Sequence, residues 1–317
     1  PGDFVYSEHS EPIKLLKVFS NGIKPVLAAK FSGRTLFHCT EDHVFQVKNI
    51  SCDKIYERPV KEFYNGIKII RKEVQREGGK YVPTAYALGA LLGDGCCTCG
   101  SKTRIIISSQ DNLIPDKVAK QLNCDVHKNS SKNYNWTLYS NKGPEFYEEW
   151  CNNKLAHEKI CDVNEVLSWD RQSRLAFLAG LLDTDGSVQV SERCLVMTIT
   201  MQAKSVVDAA ATLFADLFQY RPSVNIDNRP KYKNGPVYEL KLKNNYFVEK
   251  ALRELDEHIV TLRKKWKLEY ADFLVNNMRA DSMGLQFSPA GSMPTYDIHV
   301  DSPTNLYLLE NGLVTHN

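Results

Sequence analysis

Phe177 to Gly186 reads FLAGLLDTDG, and Ala87 to Gly95 reads ALGALLGDG. Each is a run of small and apolar residues that ends in an acidic residue followed by glycine. The apolar runs predict two helices, and small residues one turn apart (Gly89 and Gly93 in one, Ala176 and Gly180 in the other) allow two helix backbones to approach closely. If the two pack on each other as pseudo-symmetric partners, Asp94 and Asp185 emerge side by side at the same end. Carboxylates held that close repel, and a divalent cation relieves the repulsion. Mg²⁺ or Mn²⁺ held there against a phosphate could activate water on one side and stabilise the leaving oxygen on the other.

The rest of the chain frames this repeat. Its 317 residues, 43% hydrophobic and 25% charged, suffice for two domains with separate cores. A formal charge of +2 means that any contact with nucleic acid must come from a local basic face. No stretch is long and apolar enough to span a membrane. Nine cysteines at irregular spacing, in a chain without an apolar signal stretch, point to reduced thiols in a cytosolic or nuclear compartment. Cys96 and Cys99 have the CxxC spacing of a zinc site, but no second pair answers them in sequence, so reduced loop thiols are expected.

Residues 1–80 read as β structure. Asn21-Gly22, between two apolar-rich runs, predicts a tight hairpin. RTLFHCTEDHVFQVKN gives a second pair of extended runs around the polar kink Thr40-Glu41-Asp42-His43. Extended character returns in 285–317, where PTYDIHV and NLYLLENGLVTHN are split by Asp301-Ser302-Pro303 and Asn311-Gly312. A β unit is thus interrupted by an α+β insert, 81–284. Its length of roughly 200 residues makes it a domain rather than a loop.

The two acidic segments resemble the paired motifs of LAGLIDADG homing endonucleases, the second at Leu178-Ala179-Gly180-Leu181-Leu182-Asp183-Thr184-Asp185-Gly186 almost letter for letter. The resemblance implies that Asp94 and Asp185 are catalytic and bind the metal. It also implies that each repeat adds a twisted antiparallel sheet whose strands read the major groove of double-stranded DNA. Candidate strands supply Lys102, Arg104, Gln110, Arg193, Gln202, Arg229 and Lys231 as DNA contacts. Family members carry one basic residue per repeat near the metals, and by position after each helix these are Lys132 and Lys233.

The flanking β unit resembles the Hint fold of inteins, a horseshoe-like all-β protein-splicing domain in which such endonucleases are commonly nested. Gly2 to Ser7, GDFVYS, is similar to its second conserved strand, and CTEDHVF carries its Thr-x-x-His signature at Thr40 and His43. In the family these polarise the upstream scissile peptide for acyl transfer to a nucleophilic side chain. Asp297 in TYDIHV matches the position that coordinates the two splice junctions. His316-Asn317 closes the pattern. Asparagine can attack its own backbone carbonyl to form a succinimide, and histidine is suited to the accompanying proton traffic.

Two positions depart from the family. Asn305 stands where inteins often have histidine, and it can hydrogen-bond but cannot shuttle a proton near neutral pH. The chain begins Pro1-Gly2-Asp3, without the strand that carries the first splice nucleophile. An N-terminal piece is therefore expected to supply it, either lost by truncation or acting as a short peptide in trans. The expected whole is a self-splicing intein that needs no cofactor for splicing, has flanking exteins as partners, and cuts DNA with Mg²⁺ or Mn²⁺. Two alternatives are a splicing element with an inactive endonuclease and a DNA endonuclease with a vestigial Hint part. Asp94 with Asp185 argues against the first, and Thr40, His43, His316 and Asn317 argue against the second.

Overall fold

The computed structural model describes residues 3–9, 11–31, 34–49, 52–72, 78–96, 104–110, 112–129, 134–139, 150, 155–190, 194–229, 232, 234–243, 245–261, 282–309 and 312–316. Contacts divide the chain into a unit formed by Pro1–Gln75 with Arg279–Asn317 and a second unit, Arg76–Met278.

Among the described residues the first unit is β apart from a 3-10 turn at Val60–Glu62. Its strands are β1 (Phe4–Ser7), β2 (Pro12–Phe31), β3 (Arg34–Cys39), β4 (Val44–Asn49), β5 (Cys52–Pro59), β6 (Ile67–Ile70), β15 (Ser282–Met283), β16 (Gln286–Val300), β17 (Leu306–Leu308) and β18 (Val314–His316). They form one sheet in the order β15-β6-β4-β18-β17-β1-β2-β16, with β3 also on β2 and β5 also on β4. The last strands of the chain therefore pair with its first ones. Alternation along β4 buries Phe45 and Val47, which pack with Val60, Ile67, Ile69 and Leu313. A smaller cluster joins Ile70, Leu306, Leu308 and Val314.

The expected hairpin at Asn21-Gly22 does not form. The chain runs straight through it as β2, because β16 offers a ladder on both sides, pairing Ser20 with Tyr296 and Ile23 with Pro294. Gly22 takes the positive φ of 72° that the dipeptide favours, and the register shifts of β16 around Pro294 and Tyr296 absorb it as an irregularity. Long-range pairing has overridden a local turn signal. Asn311 lies outside the described residues, but Gly312 has φ 76°, its N–H donates to Leu309 O, and β17 and β18 pair antiparallel.

In the second unit one pattern occurs twice. The first copy runs α1 (Ala85–Asp94), β7 (Gly95–Cys96), β8 (Arg104–Ser108), α2 (Leu113–Leu122), β9 (Asp125–Lys128) and β10 (Asn135–Tyr139). After the short helix α3 (Val163–Leu167), the second runs α4 (Arg171–Asp185), β11 (Gly186–Val190), β12 (Leu195–Met201), α5 (Lys204–Phe218), β13 (Ser223–Asp227) and β14 (Val237–Leu242), and α6 (Asn245–Leu255) follows. The two four-stranded antiparallel sheets have the equivalent orders β7-β8-β10-β9 and β11-β12-β14-β13. Both copies share one core, in which Leu88, Leu91 and Leu92 of α1 meet Phe177, Leu178, Leu181 and Leu182 of α4. Asp170 caps α4 by accepting a 2.7 Å hydrogen bond from Ser173 N.

Candidate functional site

Helices α1 and α4 cross backbone on backbone. A Cβ at Gly89 would lie within 3.0 Å of Phe177 O, and one at Gly180 within 3.0 Å of Tyr86 O and Ala90 N. The small residues of the two motifs thus serve the close approach their spacing suggests. Towards the helix ends a Cβ on Gly93 would strike Thr184 Oγ1 and Asp185 Oδ2, so the Asp185 carboxylate lies directly over the residue that precedes Asp94. Both aspartates are half-buried, at the points where α1 and α4 hand over to β7 and β11. Among the described residues no group of three or more His, Cys, Asp or Glu side chains gathers around a metal position. Two hard oxygen ligands fit Mg²⁺ or Mn²⁺, whose remaining positions water and substrate phosphate can fill.

Two neighbours of this pair escape a reading of the sequence. Lys159 is buried, and its ammonium donates to Leu91 O at 3.1 Å, Leu92 O at 3.0 Å and Gly93 O at 2.8 Å. It therefore caps the last carbonyls of α1 with a positive charge, one residue from Asp94. Asp183 is buried at the other helix. Its Oδ2 accepts from Tyr86 OH and Val260 N, each at 2.9 Å, and its Oδ1 accepts from the Thr261 N–H at 3.3 Å and from the Thr261 hydroxyl. Lys117 Nζ sits 4.0 Å from the centroid of the same Tyr86 ring.

Each sheet turns one face away from its buried leucines and isoleucines, and on those faces Thr137 and Thr198 are themselves buried. Across the second run the rows Ser187–Thr198–Lys241–Ser223 and Thr200–Glu239–Asn225, opposite in sense to buried Leu240 and Leu242. Across the first run Cys96–Ile106–Thr137–His127 and Arg104–Tyr139–Asp125. Arg104 begins β8, in register with Tyr139. Gln110 is exposed in the bend after β8. Gln202 follows β12 and donates to Gly235 O at 3.4 Å. Arg229 is exposed but held by Asp227, to which its Nε donates at 2.8 Å, so much of its charge is answered within the protein. Lys102, Lys132, Arg193, Lys231 and Lys233 lie outside the described residues. Ser187, Thr198, Thr200, Asn225, Glu239, Lys241, His127 and Tyr139 were not singled out from the sequence. Strict alternation from the buried positions of each strand would have found them.

A separate polar cluster forms in the β unit. His43 Nε2 is 2.6 Å from Thr315 Oγ1, and that hydroxyl donates to Val44 O at 3.0 Å. Because the threonine hydrogen is committed to the carbonyl, Nε2 of the neutral ring carries hydrogen and donates, and Nδ1 holds the lone pair. Burial holds His43 below the usual imidazole range; the negative charge of Asp297 pulls it back up and His316 pushes it further down. Those two side chains are thus close enough to act on His43. Asp297 accepts a 2.6 Å hydrogen bond from Asn21 Nδ2. Burial and the charge of Asp297 together push Tyr307 up to about 12. Thr40 closes the kink before β4 through its carbonyl, which accepts from His43 N at 3.2 Å. Asn305 takes a left-handed φ of 55° in the turn before β17, a conformation asparagine tolerates well. Asn317 lies outside the described residues.

The thiols of Cys39, Cys124 and Cys161 are free, and Cys99 lies outside the described residues. Burial pushes Cys39 up to about 12 and Cys124 to about 11, which leaves them poor nucleophiles and ligands.

Residues 171–257, which take in α4 to α6 with β11 to β14, match the family model of the WhiA N-terminal LAGLIDADG-like domain. No curated protein matches the chain. Among solved structures it is similar to the homing endonuclease I-WcaI bound to its DNA recognition sequence, at 15% identity and TM-score 0.40, over 60% of this chain and 88% of that one. I-DmoI in complex with DNA and Mn is similar at 18% identity and TM-score 0.37, over 57% of this chain and 98% of that one. Full-length DUF199/WhiA from Thermatoga maritima is similar at 15% identity and TM-score 0.39, over 60% of this chain and 59% of that one.

Proposed function

We propose that the α/β unit is a divalent-cation-dependent, site-specific DNA endonuclease. The observation that carries this reading is the packing of the Asp185 carboxylate over Gly93, beside Asp94. It joins two oxygen-rich helix ends at one point, as a site for hydrolysing phosphodiesters requires. When bound, Mg²⁺ or Mn²⁺ would supply Lewis-acid stabilisation of the phosphate and an acidified water. The chain's own residues do the rest. Asp94 and Asp185 would hold the cation, the glycine-lined helix crossing fixes their separation, and the outward sheet faces offer donors and acceptors to base edges in the major groove. The match of residues 171–257 to a WhiA N-terminal LAGLIDADG-like domain supports DNA binding. Incubating the chain with a library of duplex DNA and Mg²⁺ and sequencing the ends would test this. Enrichment of one long site is expected, and an uncut library would refute it.

For the β unit we propose protein splicing, favoured by the convergence of His43, Asp297, Thr315 and His316. In this reading Nδ2 of Asn317 attacks its own carbonyl carbon, the bond to the following residue breaks, and the departing nitrogen takes up a proton. His316 and the neutral His43 provide and remove protons, and Asp297 holds charge balance between them. The substrates are then the polypeptides flanking the chain. Mass spectrometry of a protein fused after Asn317 would test it through the released fragment and its C-terminal succinimide.

A further inference from the structure

The dipeptide Asn21-Gly22, which forms no hairpin, marks a bulge instead. Ser20 of β2 pairs with Tyr296 of β16 and Ile23 pairs with Pro294, so Asn21 and Gly22 together stand opposite the single residue Thr295. Glycine allows this backbone, since Gly22 has φ 72°. Two side chains fasten the bulge. The Thr295 hydroxyl donates to Gly22 O at 3.0 Å, and Asn21 Nδ2 donates to Asp297 Oδ2 at 2.6 Å. The Cα partner of Asp297 is Phe19, so the amide reaches the carboxylate diagonally across the ladder. Diagonal neighbours in a regular ladder lie about 7–8 Å apart, within reach of long side chains only. The added bend and twist of a bulge let these two short ones meet.

Resting on the splicing reading of this unit, we infer that Asn21 is a positioning residue: from the bulge it fixes the Asp297 carboxylate in the orientation from which it acts on His43. Asp297 is exposed, and a carboxylate in water without an anchor turns among its rotamers. Its influence on a neighbouring imidazole depends on a constant separation, because charge interaction weakens with distance and with intervening water. A hydrogen bond from an amide to a charged oxygen is of the stronger kind and suits this task. The choice of residue matters as well. Lysine or arginine would anchor the carboxylate but cancel the negative charge that pulls the proton affinity of His43 upward. Asparagine holds the carboxylate and leaves its charge intact. Asn21 itself joins no bond that forms or breaks.

The test uses the full chain with a polypeptide fused after Asn317. Release is followed by mass spectrometry and the His43 ring by NMR titration, with Asp297 facing that ring from β16 and His316 from β18. In Asn21→Ala the His43 titration should move down, towards its position in Asp297→Asn, and release should slow about tenfold, at a melting temperature close to that of the wild type. Asn21→Asp is nearly isosteric and separates positioning from shape. Near neutral pH its two carboxylates repel and release should be slow. As the pH falls through about 4–6, one of the pair takes up a proton and donates again, so release should return to the wild-type rate at the same pH, which Asn21→Ala cannot do. A His43 titration at the wild-type position, or release at the wild-type rate, in Asn21→Ala would overturn the inference while leaving the splicing reading intact. A wild-type chain that releases nothing would remove that reading, and the His43 titration then decides the role of Asn21 by itself.

Discussion

His43 and Thr315, separated by 272 positions, meet at 2.6 Å, and the same threonine hydroxyl is bound to the carbonyl of Val44, the residue next to His43. The contact fixes the tautomer of the histidine and ties β18, which leads into Asn317, to β4. Replacing Thr315 by valine keeps the shape but leaves a buried ring N–H and a carbonyl without this partner. A loss of about 1–3 kcal/mol in stability is expected, together with slower cleavage after Asn317. Melting and mass spectrometry of a C-terminal fusion measure both. Unchanged cleavage in a folded Thr315→Val protein would show that the contact is irrelevant to the chemistry.

At the chain end, Asn317→Ala should block release of a fused polypeptide and His316→Ala should slow it. Succinimide formation needs the side-chain amide of Asn317, whereas proton transfer can be shared with His43. Cleavage at the normal rate in Asn317→Ala would remove the mechanism.

The depressed pKa of His43 makes a statement about acid stability. A histidine that is harder to protonate when folded stabilises the native state fully above the unfolded imidazole value of about 6.5. That contribution is lost as pH falls through the lower folded value. The wild-type melting temperature should therefore fall more steeply below pH 6.5 than that of His43→Gln. His258 is also depressed by burial, in the other unit, and the comparison with His43→Gln cancels it. Parallel curves for the two proteins would contradict the assignment.

Gly180→Ala tests the helix crossing. Its new methyl would meet Tyr86 O and the Ala90 backbone, atoms that cannot swing aside. A destabilisation of about 1–3 kcal/mol is expected, along with displacement of Asp185 relative to Asp94 and hence loss of cleavage. Denaturant melts of Gly180→Ala and of the exposed-glycine control Gly284→Ala, whose new Cβ would meet nothing within 4 Å, measure the difference.

The sequence was most informative where function needs local order. The glycine spacing and terminal aspartates of the two motifs could be read directly because helix periodicity is a property of adjacent residues, and the structure does bring their ends together. The hairpin expected at Asn21-Gly22 fails for the complementary reason: the partner strand that overrides it lies far along the chain. Lys159 caps carbonyls 66 to 68 positions away, and Asp183 accepts from residues 77, 78 and 97 positions away. No local pattern marks such residues, since a lone lysine or aspartate becomes significant only when topology supplies its partners. The surroundings of an exposed polar side chain are likewise set by topology. Arg229, prominent in the sequence, is held by Asp227, while the less conspicuous Thr200, Glu239 and Asn225 make up a row on the outward face.

The paired carboxylates are the centre of the account, and single substitutions test them most directly. On a supercoiled plasmid carrying the selected site, with Mg²⁺, Asp94→Asn and Asp185→Asn should each abolish double-strand cleavage. Binding to the same duplex should persist, because it rests on many phosphate and base contacts. Linear product formed at the wild-type rate by either variant would contradict the account.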